Sequence, residues 1–400
     1  MTIVFWGLVA VVAYGYFGYP LTAAIAGLVL NRRVGKKRVA PPLSIVIAAY
    51  DEAENIEARL RNLLASEYPK DALEIVVASD GSTDGTVEVA SAVDPERIRV
   101  LDLPRRGKAA ALADGARHAT GEVLVFSDAN TMFKPDALAM LARNFADADV
   151  GGVAGRTQYD VADEAESAGR GEDLYWRYDT WLKSLETRSG SVVSAHGGMY
   201  AIRRELFRPV EDLAVTDDFA ISTAVVAQGK RLVFEQDAVG YERTMVKSGS
   251  EFNRRVRLMT RGLYGVVLRR RLLNPFNYGF YSIAFASRKV LRRVLPLAFL
   301  PILVVSFSLA PHSIFFTTVA AAQLSFLVLA AAGWAFRGER LGRTPVLYVP
   351  FFFCLANFAS LTALWNLSRG FRIERWTPQR HEPNLQVDSS ALSVVEARAP

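Results

Sequence analysis

Two kinds of hydrophobic pattern divide the chain. Residues 2–30 and 294–367 hold long runs without charge, whereas 31–293 alternates short apolar runs with mixed, polar stretches. The first run exceeds the roughly 20 residues that cross a bilayer. No basic segment precedes it, so it reads as a retained anchor rather than a cleaved signal peptide. Pro20 is expected to kink or divide it. Further spans are predicted at 294–310, 314–336 and 344–367.

Between the apolar ends, residues 43–160 alternate β-rich and helical patterns. Strands are predicted at Ser44–Tyr50, Glu74–Ser79, Ile98–Leu103 and Val123–Asp128, with helices near 53–66, 85–92, 107–117 and 135–144. That rhythm predicts an α/β fold built on a doubly wound, mainly parallel sheet. Ligands bind such sheets at the carboxyl ends of strands. The second half is less regular: an aromatic-containing helix at 173–188, the stretch SVVSAHGGMYAIRREL, an acidic cluster at 216–218 and a strand at Arg231–Phe234. Residues 250–293 mix basic and apolar positions, the composition of a segment lying in the membrane interface. The polar tail after 377 reads as disordered, and no internal repeat is evident. The expected organisation is a transmembrane segment at 1–30, a basic linker at 31–41, a catalytic domain at 42–247, an interface segment at 248–293, C-terminal spans at 294–367 and a tail at 368–400.

Composition sharpens this picture. Half of the 400 residues are hydrophobic, and the mean hydropathy of +0.15 is high for a soluble protein of this length. The net charge of +6 raises nucleic acid as a partner. However, the basic residues gather beside apolar runs: Arg32, Arg33, Lys36, Lys37 and Arg38; Arg269, Arg270 and Arg271; Arg288, Lys289, Arg292 and Arg293. Basic flanks mark the cytoplasmic side of a span, so the chain is read as a multi-pass membrane protein with a cytoplasmic domain and no nucleic-acid partner. The single cysteine, Cys354, excludes an intrachain disulfide and cysteine metal clusters. Four histidines argue against a His-rich metal site.

Acidic motifs fall at the predicted strand ends. SIVIAAYDEAENI (44–56) brings Tyr50, Asp51 and Glu52 to the end of the first strand; the bland alternative is carboxylates stabilised by a helix N-terminus. VVASDGSTDGT (76–86) ends at Asp80, a carboxylate able to accept bonds from a nucleobase or ribose, or else part of a turn in which Asp84 caps a helix. VFSDANT (125–131) places Asp128 and Asn130 two apart, so a turn can bring both oxygens to one Mg²⁺ or Mn²⁺ that also bridges to a diphosphate; the bland alternative is a strand-end turn. In RRGKAAAL (105–112), Arg105, Arg106 and Lys108 lie where a strand joins a helix N-terminus, where lysine and free backbone N–H groups suit phosphate; a solvated basic face is the equal alternative. In AVTDDFAIS (214–222), Asp217 or Asp218 can take the proton from an attacking hydroxyl, unless the cluster is only a helix start capped by Thr216.

Together the motifs AYDE, SDGSTDGT, GKAAAL, FSDANT, HGGMYAIRREL, TDD and RRVRL resemble the membrane-bound branch of family 2 glycosyltransferases, over roughly residues 40–375. That branch includes hyaluronan, chitin, cellulose and poly-N-acetylglucosamine synthases. The resemblance implies a GT-A fold, a nucleotide-sugar donor (UDP in most members) and a divalent metal. It implies that Tyr50, Glu52 and Asp80 hold the nucleoside and Lys108 the donor phosphates. Asp128 and Asn130 occupy the metal positions, and Asp218 is the general base. Gly197 and Gly198 line the acceptor side. Arg254 and Arg257 face the leaving diphosphate or, equally, lipid headgroups. His196 reads as a turn residue. Tyr175, Trp176, Tyr178 and Trp181 read as packing or membrane contacts before a sugar-stacking surface.

The chain departs from the family pattern. Ala48 and Asp51 stand for Pro and Asn, Asn130 for the second Asp of D-x-D, and Asp217 for Glu. Arg254 and Leu258 replace the Gln and Trp of Q-x-x-R-W, which weakens the expectation of a long polymer. The expected reaction is therefore an inverting, metal-dependent transfer at the plasma membrane to a saccharide or lipid-linked acceptor. A processive polysaccharide synthase and a non-catalytic scaffold are the alternatives. Basic residues at 369–380 favour a cytoplasmic tail, so Pro350 and Asn357 are expected to break the last span or keep it shallow.

Overall fold

The computed structural model describes all residues except 161–165, 213, 244–250 and 374–400; the side chains of 159–160, 166–176, 243, 251 and 343 also lie outside the described set. The catalytic-domain region forms one eight-stranded mixed sheet. Its strands are β1 (Leu43–Ala49), β2 (Leu73–Asp80), β3 (Ile98–Leu103), β4 (Val123–Ser127), β5 (Thr131–Phe133), β6 (Val150–Asp160), β7 (Tyr200–Arg203) and β8 (Arg231–Arg243). Their order is β3-β2-β1-β4-β7-β6-β8-β5. The first four are parallel, β7 pairs antiparallel with β4 and β6, β6 and β8 are parallel, and β5 closes the edge antiparallel to β8. The predicted strands recur within a residue or two, and the strand predicted at Arg231–Phe234 continues to Arg243.

Strand periodicity explains the two cores. In β1, Ile45 and Ile47 face one side and Val46 and Ala48 the other. All seven residues of β1 are buried, as expected where helices cover both faces. On the first side the helix Ala53–Leu64 supplies Ile56, Leu60 and Leu63 at helical spacing, joined by Leu138 and Leu141. On the second lie the helices Lys108–His118 and Asp217–Ala227, together with Tyr19, Leu182 and Phe285 from the membrane-side elements. The sheet is thus locked to the apolar helices through one of its faces. The strands point their carboxyl ends at a common edge, and the functional residues gather there.

Among the described residues, three helices are long and apolar enough to cross a membrane: Thr2–Leu30, Ile314–Ala335 and Pro345–Ser368. The first is continuous, with a π turn at Tyr14–Gly18 just ahead of Pro20, which has no N–H to continue the ladder. The span expected at 294–310 is observed as Pro296–Leu309, 14 residues. At about 1.5 Å per residue it reaches only about 21 Å, short of the roughly 30 Å of hydrocarbon. Phe280–Val294 and Pro296–His312 are suitable only as a pair, bent by 53°. The last helix corrects a further expectation: it runs unbroken through Pro350 and Asn357. It packs along the helix Glu251–Leu268, with Ser360 3.1 Å from Met259 Sδ and Asn366 donating to Thr260 Oγ1 at 3.3 Å. Beyond it, Arg372 pairs with Asp212 of the sheet domain at 2.8 Å.

Candidate active site

The site begins at the end of β1. Asp51 adopts φ +51°, a left-handed conformation unusual for a side-chain-bearing residue, and its own turn holds it there. Its N–H donates to Ser82 Oγ at 3.1 Å, and its Oδ1 accepts from Thr83 N at 2.9 Å. Asp84 accepts from Thr86 N and from Ala53 N, at 3.1 and 3.0 Å. The β1 and β2 turns are therefore one hydrogen-bonded unit. Glu52 accepts from Asn55 Nδ2 at 3.0 Å.

Asp80, buried at the end of β2, is wrapped by the loop that follows β3. It accepts from the N–H of Arg106 at 2.7 Å, from that of Gly107 at 2.9 Å, and from Arg105 Nη1 at 2.5 Å. Gly107 sits at φ +97°, where a side chain would be strained, and this turns its amide onto the carboxylate. Arg105 also lies over the Tyr50 ring, 3.3 Å from its centroid. Sequence reasoning left Arg105 open between a phosphate-facing helix start and a solvated basic face; in the structure it stacks on Tyr50 and pairs with Asp80.

Because Asp80 pins that loop, Lys108 starts its helix pointing across the strand ends. Its ammonium lies 2.5 Å from Asp128 Oδ1 and 3.4 Å from Asp217 Oδ2. Burial alone would lower the Lys108 pKa, but Asp128 and Asp217 hold it well above the ordinary lysine range. Burial alone would raise Asp128; Lys108 outweighs it and keeps the carboxyl low. Asp217 goes the other way: burial pushes it up, Lys108 opposes, and Asp218 and Asp128 push it further. Asp218 accepts from the Phe219 N–H at 2.7 Å, whereas the Thr216 side chain makes no cap.

Gly197 and Gly198 close the opposite wall. A Cβ on Gly197 would lie 3.4 Å from Asp128 Oδ2 and 3.8 Å from Lys108 Nζ, and one on Gly198 would meet Thr157 Oγ1 at 2.8 Å. Gly197 keeps the space beside the Lys108–Asp128 pair open, and Gly198 lets the backbone pass close against Thr157 and Thr131. His196 accepts at Nδ1 from Gly198 N–H at 3.4 Å, the turn role expected of it. Burial lowers its pKa, opposed by Asp218.

The structure therefore brings together Tyr50, Glu52, Asp80, Lys108, Asp128, Asn130, Gly197, Gly198, Asp217 and Asp218 at one sheet edge. The charges acting on Arg257 are those of Arg261 and Arg254. Arg261, one helical turn further on, donates to Val215 O at 2.7 Å and feels Asp217 and Asp218. The i, i+4 spacing from Arg257 was the available signal for it. Tyr178 and Trp181 pack with ring centroids 6.1 Å apart, whereas the side chains of Tyr175 and Trp176 lie outside the described residues. Asp128 and Asn130 carry two hard oxygens at the end of β4. Among the described residues no group of three His, Cys, Asp or Glu side chains is placed to hold a metal.

The sequence profile of glycosyl transferase family 2 matches residues 44–210. These residues form a family 2 glycosyltransferase domain. Poly-β-1,6-N-acetyl-D-glucosamine synthase of Staphylococcus aureus is 28% identical over 234 residues, 57% of this chain and 56% of the relative. Its counterpart in Staphylococcus epidermidis is 25% identical over the same coverage. The chain thus spans about half the length of the curated relatives it matches. A mannosyltransferase from Pyrobaculum calidifontis, solved with GDP-mannose and Mn²⁺, superposes with a TM-score of 0.66 at 23% identity, covering 91% of this chain and 98% of that one. The family 2 domain has the GT-A fold, and the apolar helices at both ends accompany it.

Proposed function

We propose that the protein is a membrane-bound, inverting glycosyltransferase that moves a sugar from a nucleotide diphosphate donor to a saccharide or lipid-linked acceptor. The observation that carries this reading is the Lys108–Asp128–Asp217 cluster, facing an open glycine wall at the strand ends of a family 2 domain. Tyr50 and Arg105 flank the nucleoside, and Asp80 fixes the loop that presents Lys108. Asp128 and Asn130 are the residues to hold Mg²⁺ or Mn²⁺. Two protein oxygens suit a cation whose remaining ligands come from diphosphate and water, and the ammonium now shared by Asp128 and Asp217 shows that this spot favours positive charge. When bound, the metal would offset charge on the leaving diphosphate. Lys108 contributes to the same end, and Arg261, unlike Arg257, feels the charges of Asp217 and Asp218. Asp218 deprotonates the acceptor hydroxyl, and a single displacement inverts the anomeric centre.

The bound GDP-mannose of the structural neighbour places guanosine beside uridine donors as a candidate class. The curated relatives favour a saccharide acceptor and a polymer product; RRVRL at 254–258 favours short products. The Arg372–Asp212 pair supports a tail on the same side as the catalytic domain. The test is a screen of radiolabelled UDP- and GDP-sugars against membranes carrying the protein, with products sized. Transfer from one donor class is expected, and absence of metal-dependent turnover with every donor would overturn the reading.

A further inference from the structure

The helix Ala53–Leu64 buries four residues, Ile56, Arg59, Leu60 and Leu63. Arg59 is thus a charged residue on the core face, with 0% of its surface exposed. Its guanidinium lies 4.1 Å from the Phe133 ring centroid. Nη2 donates to Ser127 Oγ and Nη1 to Asn62 Oδ1, both at 2.8 Å. Nε finds no partner among the described residues, and no carboxylate pairs with the group. Burying a cation with no carboxylate beside it is costly, and an apolar side chain of similar size would avoid that cost. Burial pulls the Arg59 pKa down to about 9, opposed by the charge of Asp128. A local rule broken at such cost is expected near a functional site.

The partners of Arg59 say what it does. Ser127 immediately precedes Asp128. Asn62 accepts from Phe133 N–H at 2.8 Å and donates to Phe133 O at 2.9 Å, so it clamps the strand that follows Asn130. A guanidinium can only donate. Ser127 Oγ must therefore accept from Arg59, which leaves the Ser127 O–H for Gly198 O, 2.9 Å away, with Asp128 O at 3.2 Å as its other acceptor. One buried cation thus holds the strand before the Asp128–Asn130 turn, the strand after it, and the glycine wall opposite.

We infer that Arg59 is the positioning residue of this site: without touching a ligand, it sets the Asp128–Asn130 oxygens in register with Gly197 and Gly198. The inference rests on the reading of Asp128 and Asn130 as cation ligands, and its test separates the two. Full-length protein in detergent is titrated with Mn²⁺ alone by electron paramagnetic resonance, and hydrogen exchange is followed in parallel. Arg59→Met is expected to bind Mn²⁺ about 10–100-fold more weakly, the usual cost of removing a ligand's supporting partner. Arg59→Lys, which keeps the charge and one donor, is expected to recover most of that loss. Exchange should quicken in peptides covering 126–134 and 196–199 and stay unchanged in 73–80. If Arg59→Met fails to fold, Ser127→Ala replaces it, with Mn²⁺ binding expected to weaken at least about threefold. Parent-like Mn²⁺ affinity in the folded variant, or a uniform rise in exchange across the domain, overturns the inference. A parent protein that binds no Mn²⁺ sinks the cation reading instead, and the local exchange pattern still decides the role of Arg59.

Discussion

Lys108 Nζ stands 2.5 Å from Asp128 Oδ1, joining the first turn of one helix to the end of the fourth strand. Neither residue is near the other in sequence, and the Asp80-centred loop makes the meeting possible. On the proposed reading, the pair couples the diphosphate side of the site to its cation side. Lys108→Met should therefore lower transfer by about 10²–10³-fold, the scale of losing one preorganised charge partner. Lys108→Arg should recover only part, because the larger head must fit beneath Gly197. Initial rates at saturating donor decide this; a Lys108→Met variant within threefold of the parent would remove Lys108 from the mechanism.

The pH profile follows from the same contacts. Asp217 is raised by burial and by its carboxylate neighbours, with Lys108 opposing. A raised acid stays protonated to higher pH, so activity that needs the ionised cluster is lost as pH falls through that elevated value. The acid limb of kcat/KM should lie above the ordinary aspartate pKa of about 3.9. Removing the Lys108 charge takes away the lowering influence, so the residual activity of Lys108→Met should show its acid limb at higher pH. An unchanged or lower limb would contradict the arrangement.

The two adjacent carboxylates are separable. Asp218→Asn should keep donor binding and lose transfer by about 10²–10⁴-fold, the range for a general base. Asp217→Asn should weaken the Lys108 contact and so act on the donor side. Equilibrium dialysis with labelled donor, set beside single-turnover transfer, distinguishes them. Full transfer by Asp218→Asn would shift the base role to Asp217.

How much of this was legible in the sequence depends on what kind of signal a residue carries. Strands β1 to β4 and the motifs at their ends were readable because alternation and turn chemistry are local. Asp128, Lys108 and Asp217 each sat in such a motif. The cross-links between motifs were not readable: nothing near Asp80 shows that it holds the Arg106 and Gly107 amides. Arg59 was missed because the stripe Ile56, Leu60, Leu63 reads as an ordinary core face, and an intervening arginine looks solvated. Arg261 was missed because attention fell on Arg257, one turn away on the same helix. Pro350 misled because a proline in the second turn of a long apolar helix is tolerated when neighbouring helices support it.

Metal removal tests Asp128 and Asn130 together. Activity should vanish with EDTA and return with Mg²⁺ or Mn²⁺. Asn130→Asp, which adds a charge to the ligand set, should lower the metal concentration needed for half-maximal activity; Asp128→Ala should not recover at moderate metal. Full activity in chelator would take the metal out of the mechanism.

The side of the C-terminal tail can be decided at a residue the structure describes. Arg372 pairs with Asp212 of the sheet domain and lies 5.5 Å from the Tyr264 ring centroid, so the chain leaving the last helix returns to the catalytic domain. Basic residues next to a span are costly to translocate, and both observations point the same way. Phe371 is exposed and adjacent to this contact. A Phe371→Cys variant in a Cys354→Ser background should resist an impermeant maleimide in intact cells and label once the membrane is opened. Labelling in intact cells would put residue 371 outside. If the basic flanks at 31–38 and 269–271 hold the sheet domain inside, the Arg372–Asp212 pair could not then form in the native membrane.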